Sequence, residues 1–290
     1  ASFLHLKPML AVITNVDMDH METYAGDPER LYQTFIEFVG HLPFYGLAVL
    51  CDDDPGVGII RERLNRPIQT YGFDEGADLR AFDVRHKGPS MTFSVASADG
   101  EGVVEFELNL AGRHNVLNAL AAIAVARQLG VEDASIARGL AHFEGIGRRF
   151  QIHGEVAVAG RQVLLVDDYG HHPREIEATV AAARASWPER RLVVAFQLHR
   201  YTRTRDLFED FASVLSDLNT LLLLDVYAAG ETPIAGADGR ALARAIRNRG
   251  HVDPVFVSGP EELPRALAGV LHNDDVLLLL GAGSIGAVAR

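Results

Sequence analysis

The chain has 290 residues, 48% of them apolar, with 27 Lys and Arg against 39 Asp and Glu and a formal net charge of −12. That length allows two cores at about 150 residues each, while the acidic balance excludes a nucleic-acid backbone or an anionic membrane surface as the main partner, since both need clustered Lys and Arg. A single cysteine, Cys51, excludes a disulfide framework and a cysteine-built zinc site, and without a membrane-length apolar run or a secretory signal the expectation is a cytoplasmic protein.

Residues 10–15 form a short apolar, partly β-branched run closed by polar residues, which predicts a buried strand feeding a loop. Asp27-Pro28-Glu29 then puts a capping residue and a first-turn proline ahead of Leu31, Phe35, Phe38 and Val39 at helical spacing, so a helix is expected there. Residues 47–50 predict a second strand. Between 82 and 110, apolar and polar residues alternate, as in Val103, Glu105, Glu107 and Asn109, and an antiparallel β region is expected. Ala-rich helices follow at about 114–128 and 133–140. After Phe143-Glu144-Gly145-Ile146-Gly147 the texture changes: apolar strands at 163–166, 192–196, 221–225, 254–257 and 276–280 alternate with amphipathic stretches, the βαβ signature of a parallel sheet. The expected fold class is α/β in two domains, 1–147 and 148–290, the second Rossmann-like. The chain starts without Met and stops inside an expected helix, so both ends are expected to be cut.

In open parallel sheets, ligands bind beyond the carboxyl ends of the strands, so polar residues just after strands matter most. The loop Thr14-Asn15-Val16-Asp17-Met18-Asp19-His20 suits either a capped, solvated turn or a magnesium ion that takes its other ligands from water and phosphate oxygens. Gly112-Arg113-His114-Asn115-Val116-Leu117-Asn118 opens an Ala-rich helix with Asn115 and Asn118 on one face, to bond either the helix's own amides or a ligand. Val166-Asp167-Asp168-Tyr169-Gly170-His171-His172-Pro173 brings two acids, a phenol and two imidazoles to a strand end, where a turn alone rarely needs such variety. Gln197-Leu198-His199-Arg200-Tyr201-Thr202-Arg203-Thr204-Arg205 places three arginines after another strand, an anion site in so acidic a chain, and Arg203 is expected outside the core.

Gly281-Ala282-Gly283-Ser284-Ile285-Gly286 matches the dinucleotide pattern GxGxxG, which would suit a nicotinamide-dependent oxidoreductase. That fingerprint needs a further strand and an acid about 20 positions on, and the chain stops too soon for either, so these glycines are expected to permit a tight strand-to-helix turn. A non-catalytic interaction module is a third class.

Taken in order, the Thr14-to-His20 loop, Gly112-Arg113-His114-Asn115, Gly147-Arg148-Arg149-Phe150 and Asp168-Tyr169-Gly170-His171-His172-Pro173 resemble the Mur ligase family, whose members use ATP to join an amino acid or peptide to a nucleotide-linked muramic acid. The resemblance covers essentially the whole chain. It implies a central P-loop-type α/β ligase domain, incomplete at its N-terminus and carrying the antiparallel region, followed by the Rossmann-like domain. It implies that His20 helps hold Mg2+, that His114, Asn115 and Asn118 contact ATP, and that Arg149 and Asp168 contribute to the nucleotide site. Tyr169, His171, Arg200 and Arg203 are then expected to line the amino-acid and muramoyl side, with His171, Arg200 and Arg203 nearest the chemistry.

Within the family, Tyr169-Gly170-His171-His172-Pro173 and His199-Arg200-Tyr201-Thr202-Arg203-Thr204 look most like the branch that adds L-alanine to UDP-N-acetylmuramate. The branch that attaches an intact tripeptide typically has Phe-Ala in place of Tyr169-Gly170. Leu198 stands where the family usually has Pro, so a different local backbone is expected there. No Gly-rich loop ending in Gly-Lys-Ser or Gly-Lys-Thr occurs in the sequence, although the family cradles ATP phosphates with one, so a fragment of a longer ligase is expected.

Overall fold

The computed structural model describes residues 1–18, 21–98, 100 and 102–289, with Glu22 described by its backbone alone. The chain forms two compact units, one of Ala1–Asn109 and Arg113–Phe143, the other of Leu110–Gly112 and Glu144–Arg290. Among the described residues no helix is long and apolar enough to cross a membrane.

In the first unit, β1 (Leu10–Ile13), β2 (Leu47–Cys51), β3 (Ile68–Gly72), β4 (Leu79–Lys87), β5 (Ser90–Ser97) and β6 (Val103–Leu108) form one sheet in sequence order. The pairs from β1 to β4 are parallel; β5 runs antiparallel to both β4 and β6, as the alternation from 82 onward requires. Helix α1 (Pro28–Gly40) starts where Asp27 accepts the Glu29 amide at 2.9 Å and Pro28 takes the first turn. Its Leu31 and Val39 pack with Val57 and Ile60 of α2 (Pro55–Arg61) on Ala11, Ile13, Ala48 and Leu50. Helix α3 (Arg113–Gln128) lies against β2 to β5 and buries Val116, Leu120 and Ile123, and α4 (Asp133–Ala141) lies against β6.

The sequence signals did not show α2 or β3. Two glycines in Pro55-Gly56-Val57-Gly58 depress helix propensity, and the helix depends on Asp54, which accepts the Val57 amide at 2.9 Å. In β3 the burial falls on Thr70, Tyr71 and Gly72, leaving no alternating face to detect.

The second unit contains β7 (Gln151–Val158), β8 (Arg161–Asp168), β9 (Leu192–His199), β10 (Leu221–Tyr227), β11 (Val255–Val257) and β12 (Val276–Leu280), ordered β11-β10-β9-β12-β8-β7. All are parallel except β7, a half-exposed edge strand that the sequence reading missed. Helices α5 (Pro173–Ser186), α6 (Tyr201–Asp206), α7 (Phe208–Ser216), α8 (Gly239–Arg249) and α9 (Leu263–Ala268) connect them. Strand periodicity of two splits the interior: Leu164, Val166, Val194, Phe196, Leu223 and Leu278 meet Ile176, Phe211 and Ile246 on one face. Val163, Leu165, Val193, Leu222 and Leu277 meet Leu263 and Leu267 of α9 on the other. The chain steps from β8 through β9 and β10 to β11, then returns through α9 to insert β12 between β9 and β8. That reversal of crossover direction places α9 opposite the other helices.

Strand β9 runs three residues beyond the expected 196, so Leu198 lies in a strand rather than a loop. It is fully buried in the same core as Phe196.

Candidate active site

The carboxyl ends of β8, β9, β10 and β12 carry most of the chemistry in the second unit. At the end of β8, the side chains of Asp167 and Asp168 enter opposite faces. Asp168 is 6% exposed, and its two oxygens accept the amides of Phe150 at 2.7 Å and Gly170 at 2.6 Å. Burial pushes its carboxyl above the usual range despite those bonds. Asp167 is 2% exposed and pairs with Arg148 at 3.1 Å. Arg149 is exposed, 3.4 Å from Glu175, with its guanidinium carbon 5.5 Å from the Tyr169 ring centre.

Helix α5 begins with a capping box: His172 is the N-cap, Pro173 follows, and Glu175 returns to the backbone. The Glu175 carboxylate accepts the amides of His171 at 2.8 Å and His172 at 3.1 Å. Burial raises Glu175, but those amides, the His171 imidazole and Arg149 outweigh it and hold the carboxyl below its ordinary value. The Nδ1 atom of His171 lies 3.0 Å from the Tyr169 carbonyl and 3.6 Å from Glu175.

Four rings stand in a row across three strand ends. Tyr169 meets His171 edge-on at 5.4 Å, His171 meets His199 at 5.6 Å, and His199 stacks on Tyr227 at 5.7 Å with 12° between planes. Burial, then the charges of His171, Arg203 and Arg200, lower the His199 imidazole to about 4. A neutral ring can accept at Nδ1, where Arg203 Nη1 stands 3.4 Å away.

The arginines after β9 separate by environment. Arg200 is exposed, holds φ +69° and lies 3.9 Å from Glu231, which also accepts from Thr202. Arg205 pairs with Asp206 at 2.7 Å. Arg203, expected outside the core, is 7% exposed: α6 turns it inward beneath His199. That expectation is corrected.

The glycines from 281 to 286 are accounted for by packing. Gly281 has φ +139°, and a Cβ at Gly283 would stand 2.5 Å from Gln197 Oε1 and 2.8 Å from Tyr227 Cβ. A Cβ at Gly286 would overlap the Arg148 guanidinium. Gln197 seals the turn by accepting the Ile285 amide at 2.8 Å, and a 3-10 helix, Ser284–Ala287, follows. Gln197, Tyr227 and Arg148 stand where side chains at Gly283 and Gly286 would lie.

In the first unit, Asp54 ties the loop after β1 to α2 by accepting the Val16 amide at 3.1 Å. Asp19 and His20, the expected magnesium contact, lie outside the described residues. At the start of α3, Asn118 donates to Asn115 at 3.4 Å, so the two do share a face; His114 and Asn115 are half-buried and Asn118 is exposed. The Arg113 guanidinium caps the Phe73 ring at 4.0 Å.

Tyr169, His171, Arg200 and Arg203, expected from the sequence to line the amino-acid side, lie around one row of rings. His199, Tyr227, Glu175, Glu231 and Arg148 also belong to this cluster, with no role expected for them from the sequence. Tyr227 could have been found as a polar residue ending a strand and Glu175 from the capping-box spacing; the Arg148 pair joins positions too distant for any local signal.

The chain belongs to the Mur ligase family, whose middle and C-terminal domains it matches. Residues 2–126 match the Mur ligase middle domain and 148–283 match the Mur ligase, glutamate ligase domain. The chain is similar to the UDP-N-acetylmuramate–L-alanine ligase of Halorhodospira halophila, 59% identical over 288 residues, which cover 99% of this chain and 59% of that one. The enzyme of the same name from Methylococcus capsulatus is 58% identical over 290 residues, 100% of this chain and 61% of that one. The crystal structure of the UDP-N-acetylmuramate–alanine ligase of Thermotoga maritima superimposes with a TM-score of 0.78 at 25% identity, covering 99% of this chain and 59% of that one. The chain thus spans about three fifths of the length of the curated relatives it matches.

Proposed function

We propose that this chain is part of a cytoplasmic ligase that joins L-alanine to the lactyl carboxylate of UDP-N-acetylmuramate at the expense of ATP, in peptidoglycan precursor synthesis. The observation that carries this reading is the row Tyr169-His171-His199-Tyr227 flanked by Arg200 and Arg203, a strand-end arrangement suited to a small amino acid with a carboxylate. A carboxylate is a poor electrophile and must first gain a leaving group. Its oxygen attacks the γ-phosphorus and ADP departs. The alanine amine then attacks the acyl carbon, phosphate leaves, and the nitrogen loses a proton.

Arg200 and Arg203 hold carboxylate by charge-assisted bonds. His171, with its Nδ1 against the Tyr169 carbonyl and the Glu175 carboxylate, lines the amino-acid side nearest the chemistry. His114, Asn115 and Asn118 contact ATP, and Arg149 contributes a cation to the nucleotide site. Asp168 serves that site through the backbone it holds at Phe150 and Gly170.

Among the described residues no three His, Cys, Asp or Glu side chains gather as a metal site. A magnesium ion held by His20 would take water and phosphate oxygens as its other ligands and would offset phosphate charge.

The test is phosphate release by the full-length ligase with UDP-N-acetylmuramate and ATP, comparing L-alanine with tripeptide. Release that depends on L-alanine supports the reading; release with tripeptide alone assigns the recycling reaction, and none with either ends both.

A further inference from the structure

Arg148 and Arg149 are neighbours with opposite surroundings. The Arg148 side chain is 20% exposed and faces Asp167, itself 3% exposed; the Arg149 side chain is 50% exposed. The backbone that separates them is reversed, with φ +60° at Arg148 and +47° at Phe150, conformations that L residues rarely adopt. It is fastened at each residue. Arg148 donates its amide to Gln151 Oε1 at 2.9 Å and accepts the Tyr169 amide at 2.6 Å. The amides of Arg149 and Phe150 go to the Ile146 carbonyl at 3.0 Å and to Asp168 at 2.7 Å.

The Arg148 side chain completes this fastening from the inside. Its guanidinium joins the ends of two strands, bonding Asp167 of β8 and the Gly281 carbonyl after β12, and it fills the space left by the missing side chain of Gly286. It also lies over the Tyr169 ring, 5.1 Å from the centre, on the ring that Arg149 approaches at 5.5 Å.

We propose that Arg148 is a positioning residue: locked between Asp167, the Gly281 carbonyl and Gly286, it holds the reversed backbone so that Arg149 is aimed at the nucleotide. Asp167 offsets the charge of partly buried Arg148, while Arg149, 3.4 Å from Glu175, keeps the more solvent-open guanidinium of the two. The last glycine of the 281–286 motif is small to admit Arg148. This inference rests on the reading above that Arg149 belongs to the nucleotide site.

The experiment uses the full-length ligase, with L-alanine-dependent phosphate release by the wild type established first. Arg148→Lys, Gly286→Ala and the double variant are then compared. Lys keeps the charge but cannot reach Asp167 and the carbonyl with one fork, while Ala at 286 displaces Arg148 without altering any charge. Each single variant should raise KM for ATP on the order of tenfold, by more than it raises KM for L-alanine. Because both act through one guanidinium, the double variant should be no worse than the poorer single one.

A merely structural role would lower melting temperature and the active fraction without moving KM for ATP. An unchanged KM for ATP in the folded variants, or effects that multiply in the double variant, overturns the proposal. If Arg148→Lys does not fold, Gly286→Ala alone decides. A wild type without alanine-dependent release would instead bring down the functional reading on which the proposal rests.

Discussion

His199 is held neutral by burial and by cationic neighbours, and its titration links the site to folding. The folded imidazole is lowered to about 4 from an ordinary 6.5. Between those values the unfolded chain takes up a proton that the folded chain refuses, so stability falls with pH through that window and this contribution levels off below about 4. His199→Gln should flatten the dependence of the urea midpoint on pH across the same window; an unchanged slope would show that His199 does not titrate there. Arg203 carries a second prediction. Truncating this buried arginine in Arg203→Ala should cost about 1–3 kcal/mol, read from denaturant midpoints, as well as weakening substrate capture. A midpoint equal to wild type would return Arg203 to the surface role its sequence position suggests. The sequence named Arg203 for the site because arginine after a strand reads as an anion contact, and that logic is blind to the turn of α6 that buries it. His199 stood in the same motif without a role, because its partner Tyr227 is supplied by a different strand.

Elements were legible where one local rule governs them. Asp27-Pro28 started α1, alternation marked β4 to β6, and Pro173 opened α5, each from residues adjacent in sequence. They were illegible where burial on both faces erased the period, as in β3, or where an edge strand carried too little apolar signal, as in β7. The start of α5 is the element the site depends on, because Glu175 orders both His171 and His172. The folded Glu175 carboxyl lies below its ordinary 4.5 although burial opposes this, so its contribution is present above the unfolded value and is lost as pH falls through the folded one. Glu175→Ala removes half of the capping box and should cost about 1 kcal/mol. Amide exchange at His171 and His172 should accelerate while the interior of α5 keeps its protection. Uniform loss of protection along the helix would mean that Glu175 supports the whole element rather than its first turn.

The path of the chain, unlike its elements, leaves little local trace. Leu110–Gly112 group with the second unit although the first resumes at Arg113, so the division is not a single cut. Ala111 is fully buried in the core that holds Val166, Ile176, Phe211 and Leu278, and three residues carry no periodicity from which this could be read. The sole tryptophan, Trp187, packs against that same core and stacks on Phe150 at 5.9 Å, so its fluorescence reports the second unit. Ala111→Asp places a carboxylate where no water reaches and should destabilise that unit by roughly 3 kcal/mol or more. The shift should be seen in the Trp187 transition, although the substituted residue lies 76 positions away, 187 − 111 = 76. If the Trp187 midpoint were unmoved while the remaining structure melted earlier by circular dichroism, Leu110–Gly112 would belong energetically to the first unit, and the C-terminal core would be closed without them.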